Sequence, residues 1–372
     1  MQALPELWRP SEHEPLEAGE WDEARVEEAI AAIVADAETA FDGTRWPWHP
    51  DDGEDDAWNS VYMGSAGMAW ALHELGSTGW GDAALSFVDL YRVQPFREED
   101  AVETSYHFGE AGIALVAFRL TGDADIADRI HELVLVGLES DANEVMYGTP
   151  GSMLVAEAML AWTAEPRWDE AWRATADRVE AARDADGLWT SHIGGHDGRY
   201  LGPAHGYAGN VRAFANRGPV HLVDLEPHVL RDGGFANWPP GDGSQPDEVR
   251  VQWCHGAPGM VATLGDLLGQ ELALAGGELT WRAGPLAKGP GLCHGTAGNA
   301  YAFLVLHRRT GDELWLDRAR AFALHAIGQV ERERAAAGRG RYSLFTGDIG
   351  VALFLRHLLD GEDRFPTMGP FA

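Results

Sequence analysis

One short element recurs seven times in this chain and restricts its fold more than anything else: Gly-x-x-Gly followed by an apolar, helix-forming run. It stands at residues 64–67, 109–112, 148–151, 206–209, 256–259, 295–298 and 347–350, with successive starts 45, 39, 58, 50, 39 and 52 residues apart. A single such quartet is uninformative. Self-similarity at a two-helix period marks a repeat architecture, in which each unit buries its apolar face against its neighbours.

Between the quartets lie longer amphipathic segments with charged faces, at 21–41, 123–138, 167–183 and 312–334. The runs that begin at the quartets, such as 66–75, 111–120 and 297–306, are short, rich in small residues and almost uncharged. A helix that is apolar all round is buried, and one striped with Arg and Glu faces water. The pattern predicts an outer helix, a loop and an inner helix, seven times over. That is an all-α fold: an α/α toroid (barrel) of seven helical hairpins, about fourteen helices, forming one domain over residues 1–372. All the quartets then meet at one end. The first glycine of each is expected to turn the loop with positive φ, and the second to let inner helices approach closely. Free N–H groups at the helix starts would make this rim mildly electropositive. The acidic and Pro/Gly-rich stretches at 51–56 and 239–247 read as loop insertions, and no strand-rich segment is expected.

Composition excludes several alternatives. With 45% apolar residues and 15 Trp, the chain is too hydrophobic to be disordered. It contains no apolar run long enough to span a bilayer, which excludes membrane insertion by a helix. Its 59 acidic and 28 basic residues give a net charge of -31, which repels phosphate backbones and anionic lipid, so no nucleic-acid partner is expected. The N-terminal stretch is acidic and broken by Pro, without the basic and apolar segments of a signal peptide, and a cytoplasmic location is expected.

The chemistry concentrates on two cysteines in matching contexts. Cys254 stands in Trp-Cys-His-Gly and Cys293 in Leu-Cys-His-Gly, each just before a quartet. Adjacent repeats bring Cys254, Cys293 and His294 to one rim, where two sulfurs and an imidazole match a catalytic zinc site with three protein ligands and an open position. The plain alternative is two small buried residues under tight turns. His255, at the place of His294 in the preceding repeat, is read as a proton-transfer residue rather than a fourth ligand. His205, before the fourth quartet, is a candidate general acid or base. Arg250 can offset negative charge in a substrate or an enolate, and Glu144 is a candidate acid or base. His107, Glu110 and Asp348 are further polar residues near the rim with no role assigned.

WCHGAPG at 253–259, GLCHGTAGNAYAFL at 291–304, YLGPAHGYAG at 200–209 and SLFTGDIG at 343–350 together resemble the lanthionine synthetase C-like family. The resemblance covers nearly the whole chain and is weakest before the first quartet. His255 and the AYAFL run are more similar to the stand-alone LanC-like proteins than to the lantibiotic cyclases, which typically carry Tyr after the first Cys. The resemblance implies that Cys254, Cys293 and His294 bind Zn2+, that His205 is the catalytic histidine and that Arg250 is the active-site arginine. Lys288, the one lysine beside 27 arginines, matches a residue placed near bound glutathione. Glu144 stands where the cyclases tend to have Asp, with a longer reach.

The implied reaction is zinc-dependent addition of a thiol, from glutathione or a peptide Cys, to dehydroalanine or dehydrobutyrine, giving a thioether. In the stand-alone branch the alkene is also made, by elimination of phosphate from phosphoserine or phosphothreonine, with Glu144 or His255 as base. The partners are then glutathione and a peptide or protein bearing dehydroamino acids. The alternatives are a lanthionine cyclase acting on a ribosomal peptide, and a non-catalytic glutathione-binding scaffold or a sugar-processing toroid. Sugar enzymes need no Cys-Cys-His rim.

Overall fold

The computed structural model describes residues 7–17, 19–53, 58–95, 103–218, 220, 222–244 and 248–369. Residues 54–56 and 245–247 of the two expected loop insertions lie outside the described residues. Each quartet opens an inner helix: α2 (Ser65–Glu74), α4 (Glu110–Thr121), α6 (Thr149–Thr163), α8 (Tyr207–Ala215), α9 (Ala257–Leu264), α11 (Thr296–Thr310) and α13 (Asp348–Asp360). The charged segments form the outer helices α1 (Glu23–Ala40), α3 (Gly81–Val93), α5 (Ala124–Val136), α7 (Pro166–Ala181), α10 (Gln270–Ala283) and α12 (Glu313–Ala337). Inner helices pack in cyclic order, and α13 closes the ring on α2 while α1 covers α13. This is the α/α toroid.

Local chemistry sets the helix ends. Asp22, Asp123 and Asp312 cap outer helices by accepting from the backbone N–H two residues on. Gly122, Gly311, Gly338 and Gly361 end helices in the left-handed conformation. The inner helices are buried on all sides over most of their length, as in α11 from Thr296 to Leu306. Among the described residues, no helix is long and apolar enough to cross a membrane.

The described residues contain thirteen helices, because no outer helix precedes α9. The stretch between α8 and α9 contains Pro227, Pro239 and Pro240, which remove helix donors and clash with the preceding turn. It forms instead the hairpin β3 (Leu230–Asp232) and β4 (Phe235–Asn237), paired antiparallel and packed on α10. A second hairpin, β1 (Ser191–Ile193) with β2 (His196–Gly198), follows α7. Asn237 at the end of β4 caps α9, its Oδ1 accepting from Ala257 N at 2.7 Å.

The quartets work differently from the expectation of positive φ. Of the seven first glycines only Gly256 is left-handed, at φ +112°; Gly64, for example, has φ -119°. Glycine is required by close approach. A Cβ on Gly112 would sit 1.7 Å from Tyr106 O, and one on Gly259 1.7 Å from Trp253 O. The second glycine of every quartet faces the carbonyl six residues earlier in its own loop in this way. The helix-start amides are also not free. Ser65 N donates to Trp58 O (2.7 Å), Tyr207 N to Tyr200 O (3.0 Å), Thr296 N to Gly289 O (3.1 Å) and Asp348 N to Arg341 O (2.9 Å). The loops fold back over the helix starts, so the expected electropositive ring of open amides is not formed there.

The loops are also tied to one another round the rim. Cys254 N donates to Cys293 O (3.1 Å), Cys293 N to Phe345 O (2.9 Å), Phe345 N to Tyr62 O (3.1 Å) and Tyr62 N to His107 O (3.0 Å). Beneath them lies the segment after α13. Phe365 stacks on Trp253 with centroids 3.9 Å apart and planes 3° apart, and Thr367 Oγ1 lies 3.1 Å from His107 Nε2.

Candidate active site

Register within the repeat decides which side chains meet. The residue two before a quartet is mostly buried: His107, Met146, Cys254, Cys293 and Phe345 all are. The residue immediately before the quartet extends the rim as a run of rings. Phe108 stacks on Tyr147 (4.9 Å), Tyr147 on His205 (6.2 Å) and His205 on His255 (6.0 Å).

The sulfurs of Cys254 and Cys293 and a ring nitrogen of His294 lie within 4.8 Å of one another. Both cysteines are buried and unbridged, and His294 is half-buried. The Cys293 thiol donates to Cys254 and, with His255 and His294 alongside, holds Cys254 well below the usual thiol range. The same hydrogen bond, together with burial, holds Cys293 well above it. Two soft sulfur donors and one imidazole fit a divalent metal of the Zn2+ type with one position left open.

Beside this group, His205 Nδ1 lies 3.0 Å from Glu144 Oε2. Glu144 is fully buried and accepts from Met146 N (3.0 Å) and Tyr147 N (2.6 Å), which fixes its carboxylate. Burial pulls the His205 imidazole down, but the Glu144 hydrogen bond and charge, with Cys254 adding to them, raise it above its ordinary value. His255 goes the other way. Burial dominates, and the charges of His205, Arg250 and Lys288 lower it further, although Cys254 opposes them. The rim therefore pairs an imidazole that favours its proton with one that favours the neutral form.

Arg250 is half-buried, donates to Val249 O (3.1 Å) and sits 3.7 Å from Glu12 of the N-terminal segment. Lys288 is exposed, and its charge reaches both His255 and Cys293 through space. The three unassigned polar residues belong to the framework. His107 meets Val145 O (3.2 Å) and Thr367, and burial lowers its pKa to about 3 against the opposing Val145 hydrogen bond. Glu110 is taken by Arg92 and Arg129, and Asp348 by Arg334.

Two thiol partners escaped the reading of the sequence. Gln252 Nε2 lies 3.1 Å from Cys254 Sγ, and the Tyr62 hydroxyl hydrogen-bonds Cys293. Tyr62 occupies the same place before the first quartet as Cys254 and Cys293 do before theirs, so superposing the repeats would have found it. Gln252 carries no such signal.

The comparisons with known proteins agree with this architecture. The model of the lanthionine synthetase C-like protein family matches residues 55–369. The LanC-like protein GCL1 of Arabidopsis thaliana is 39% identical over 192 residues, covering 46% of this chain and 43% of that protein. A Danio rerio protein named glutathione S-transferase LANCL1 is 36% identical over 184 residues, 45% of each chain. The matched stretches thus span less than half the length of either relative. Among solved structures, nisin cyclase superposes with a TM-score of 0.54 over 90% of this chain and 94% of that one, at 15% identity, a likeness of fold. With the family model matched over most of its length, this chain belongs to the lanthionine synthetase C-like family.

Proposed function

We propose that this chain is a zinc-dependent enzyme that adds the thiol of glutathione to dehydroalanine or dehydrobutyrine in a peptide or protein, forming a thioether. One observation carries the reading. A Cys254–Cys293–His294 donor set within 4.8 Å shares its rim with a His205 imidazole held by a buried carboxylate. The printed name of the LANCL1 relative supports glutathione as the thiol. Lys288 and Arg250 are cations at the same rim of a strongly acidic protein, suited to the carboxylates of such a donor.

Cys254, Cys293 and His294 would hold the ion, with Gln252 and Tyr62 orienting the sulfurs. Bound zinc would supply the positive charge that keeps a thiol deprotonated at neutral pH. The donor sulfur forms a bond to the β-carbon, and the alkene π pair moves through the α-carbon to the carbonyl oxygen as an enolate. Arg250 offsets that charge. His205 gives a proton to the α-carbon, Glu144 holding the imidazolium until then. One proton leaves the thiol and one reaches carbon, so the sum is an addition.

For alkene formation by phosphate elimination, the base is His255 rather than Glu144. Glu144 is buried and already accepts three hydrogen bonds, whereas burial shifts the His255 imidazole towards the neutral form that can take a proton. His255 removes the α-proton, the C–O bond breaks and phosphate leaves. The test is a phosphoserine peptide with glutathione and zinc-loaded protein. An adduct that His255→Ala abolishes, while the dehydroalanine peptide is still converted, supports this division of labour. Conversion of neither peptide overturns the whole reading.

A further inference from the structure

At the far end of the toroid from the quartets, the C-terminal ends of inner helices and the segment after α13 enclose a cavity of about 590 Å³. Leu264, Val305, Leu353 and Phe365 give it apolar wall, and its charged lining includes Arg212, Arg308, Arg356 and Arg364 beside carboxylates such as Asp266 and Asp363. The size falls within the usual range for small-molecule sites.

The arginines of this cavity are not alike. Arg308 is paired with Asp266 (3.0 Å) and Asp363 (2.6 Å). Arg356 is paired with Glu27 and Asp360, and Arg364 with Glu362 (3.3 Å). Arg212, half-buried on α8, makes no side-chain hydrogen bond or ion pair among the described residues; it feels Glu157, Asp363 and Asp266 only through space. Glu157 has committed its Oε2 to Asn216 Nδ2 at 2.9 Å. In a chain with 59 acidic and 28 basic residues, a half-buried guanidinium with no ion pair among the described residues is the exception.

We propose that this cavity binds an organic monocarboxylate with an apolar body, its carboxylate on Arg212 and its body against Leu264, Val305, Leu353 and Phe365. A guanidinium matches a carboxylate in two parallel hydrogen bonds. Asp266, Asp360, Glu362 and Asp363 are each held by another arginine, so the one cavity arginine without an ion pair among the described residues matches a single negative charge.

Octanoate serves as probe, with 1-octanol as the same body without charge, measured by calorimetry and thermal melting. Octanoate binds the full chain and raises Tm. Arg212→Met weakens octanoate by at least about tenfold, and 1-octanol binds the native chain at least about tenfold more weakly than octanoate. Without ligand, Arg212→Met keeps the native helical circular dichroism spectrum, so its loss of octanoate reads on the site. Two results each overturn the site: no octanoate binding, and octanoate binding indifferent to Arg212→Met or matched by 1-octanol.

Discussion

His205 Nδ1 and Glu144 Oε2 lie 3.0 Å apart, and the glutamate has no exposed surface. The carboxylate therefore does two things at once: it orients the ring and favours the imidazolium. Glu144→Gln keeps the shape and removes the charge. It should lower kcat for thiol addition by about 10²–10³, within the span expected of a positioned acid or base, and leave zinc content unchanged. Steady-state kinetics with metal analysis checks this, and an unaltered kcat would remove Glu144 from the account.

Phe365 lies under the site rather than in it. It stacks on Trp253, the residue before Cys254, and stands 6.2 Å from Phe345, whose carbonyl receives Cys293 N. Phe365→Ala should cost about 3–5 kcal/mol in urea unfolding, as for a large buried ring. It should also weaken zinc in chelator competition, with Phe365→Tyr restoring most of both. Unchanged zinc affinity in a destabilised Phe365→Ala variant would leave the ring a purely structural role.

Much of this arrangement was legible before any coordinates. The quartet spacing carried the toroid, and the shared position of Cys254 and Cys293 before their quartets brought the donor set together. His205 followed from the same register. What was not legible depends on contacts between distant residues. The reason for glycine at Gly112 is a carbonyl folded back over the helix start, which no local preference reveals. The missing outer helix before α9 lies in an interval of 50 residues, ample for a helix, and only its prolines distinguish it. The stack of Phe365 on Trp253 joins residues more than a hundred positions apart, and neither side chain announces it.

Glu157 should make stability depend on pH. Burial pushes its carboxyl up to about 7 in the folded chain, against an ordinary 4.5. The folded state thus holds a proton that the unfolded state releases, so stability present below about pH 4.5 is lost as pH rises towards 7. Glu157→Gln should raise stability near pH 8 by on the order of 1–3 kcal/mol and change little near pH 4. Urea melts at the two pH values check the slope; equal effects at both would contradict it.

Cys293→Ala removes one of three donors and should abolish stoichiometric zinc while the helical circular dichroism spectrum stays native. Retention of one zinc per chain would place the metal elsewhere. Because the inner helices are held by packing on all sides, loss of metal should not unfold the ring.

The most direct measurement is mass spectrometry of a dehydroalanine peptide incubated with glutathione and the full chain, with zinc and after chelation. The account predicts a peptide heavier by one glutathione, formed only with zinc and lost in His205→Ala that still binds it. No enzyme-dependent adduct from protein carrying stoichiometric zinc, or an adduct formed equally well after the metal is stripped, would contradict it.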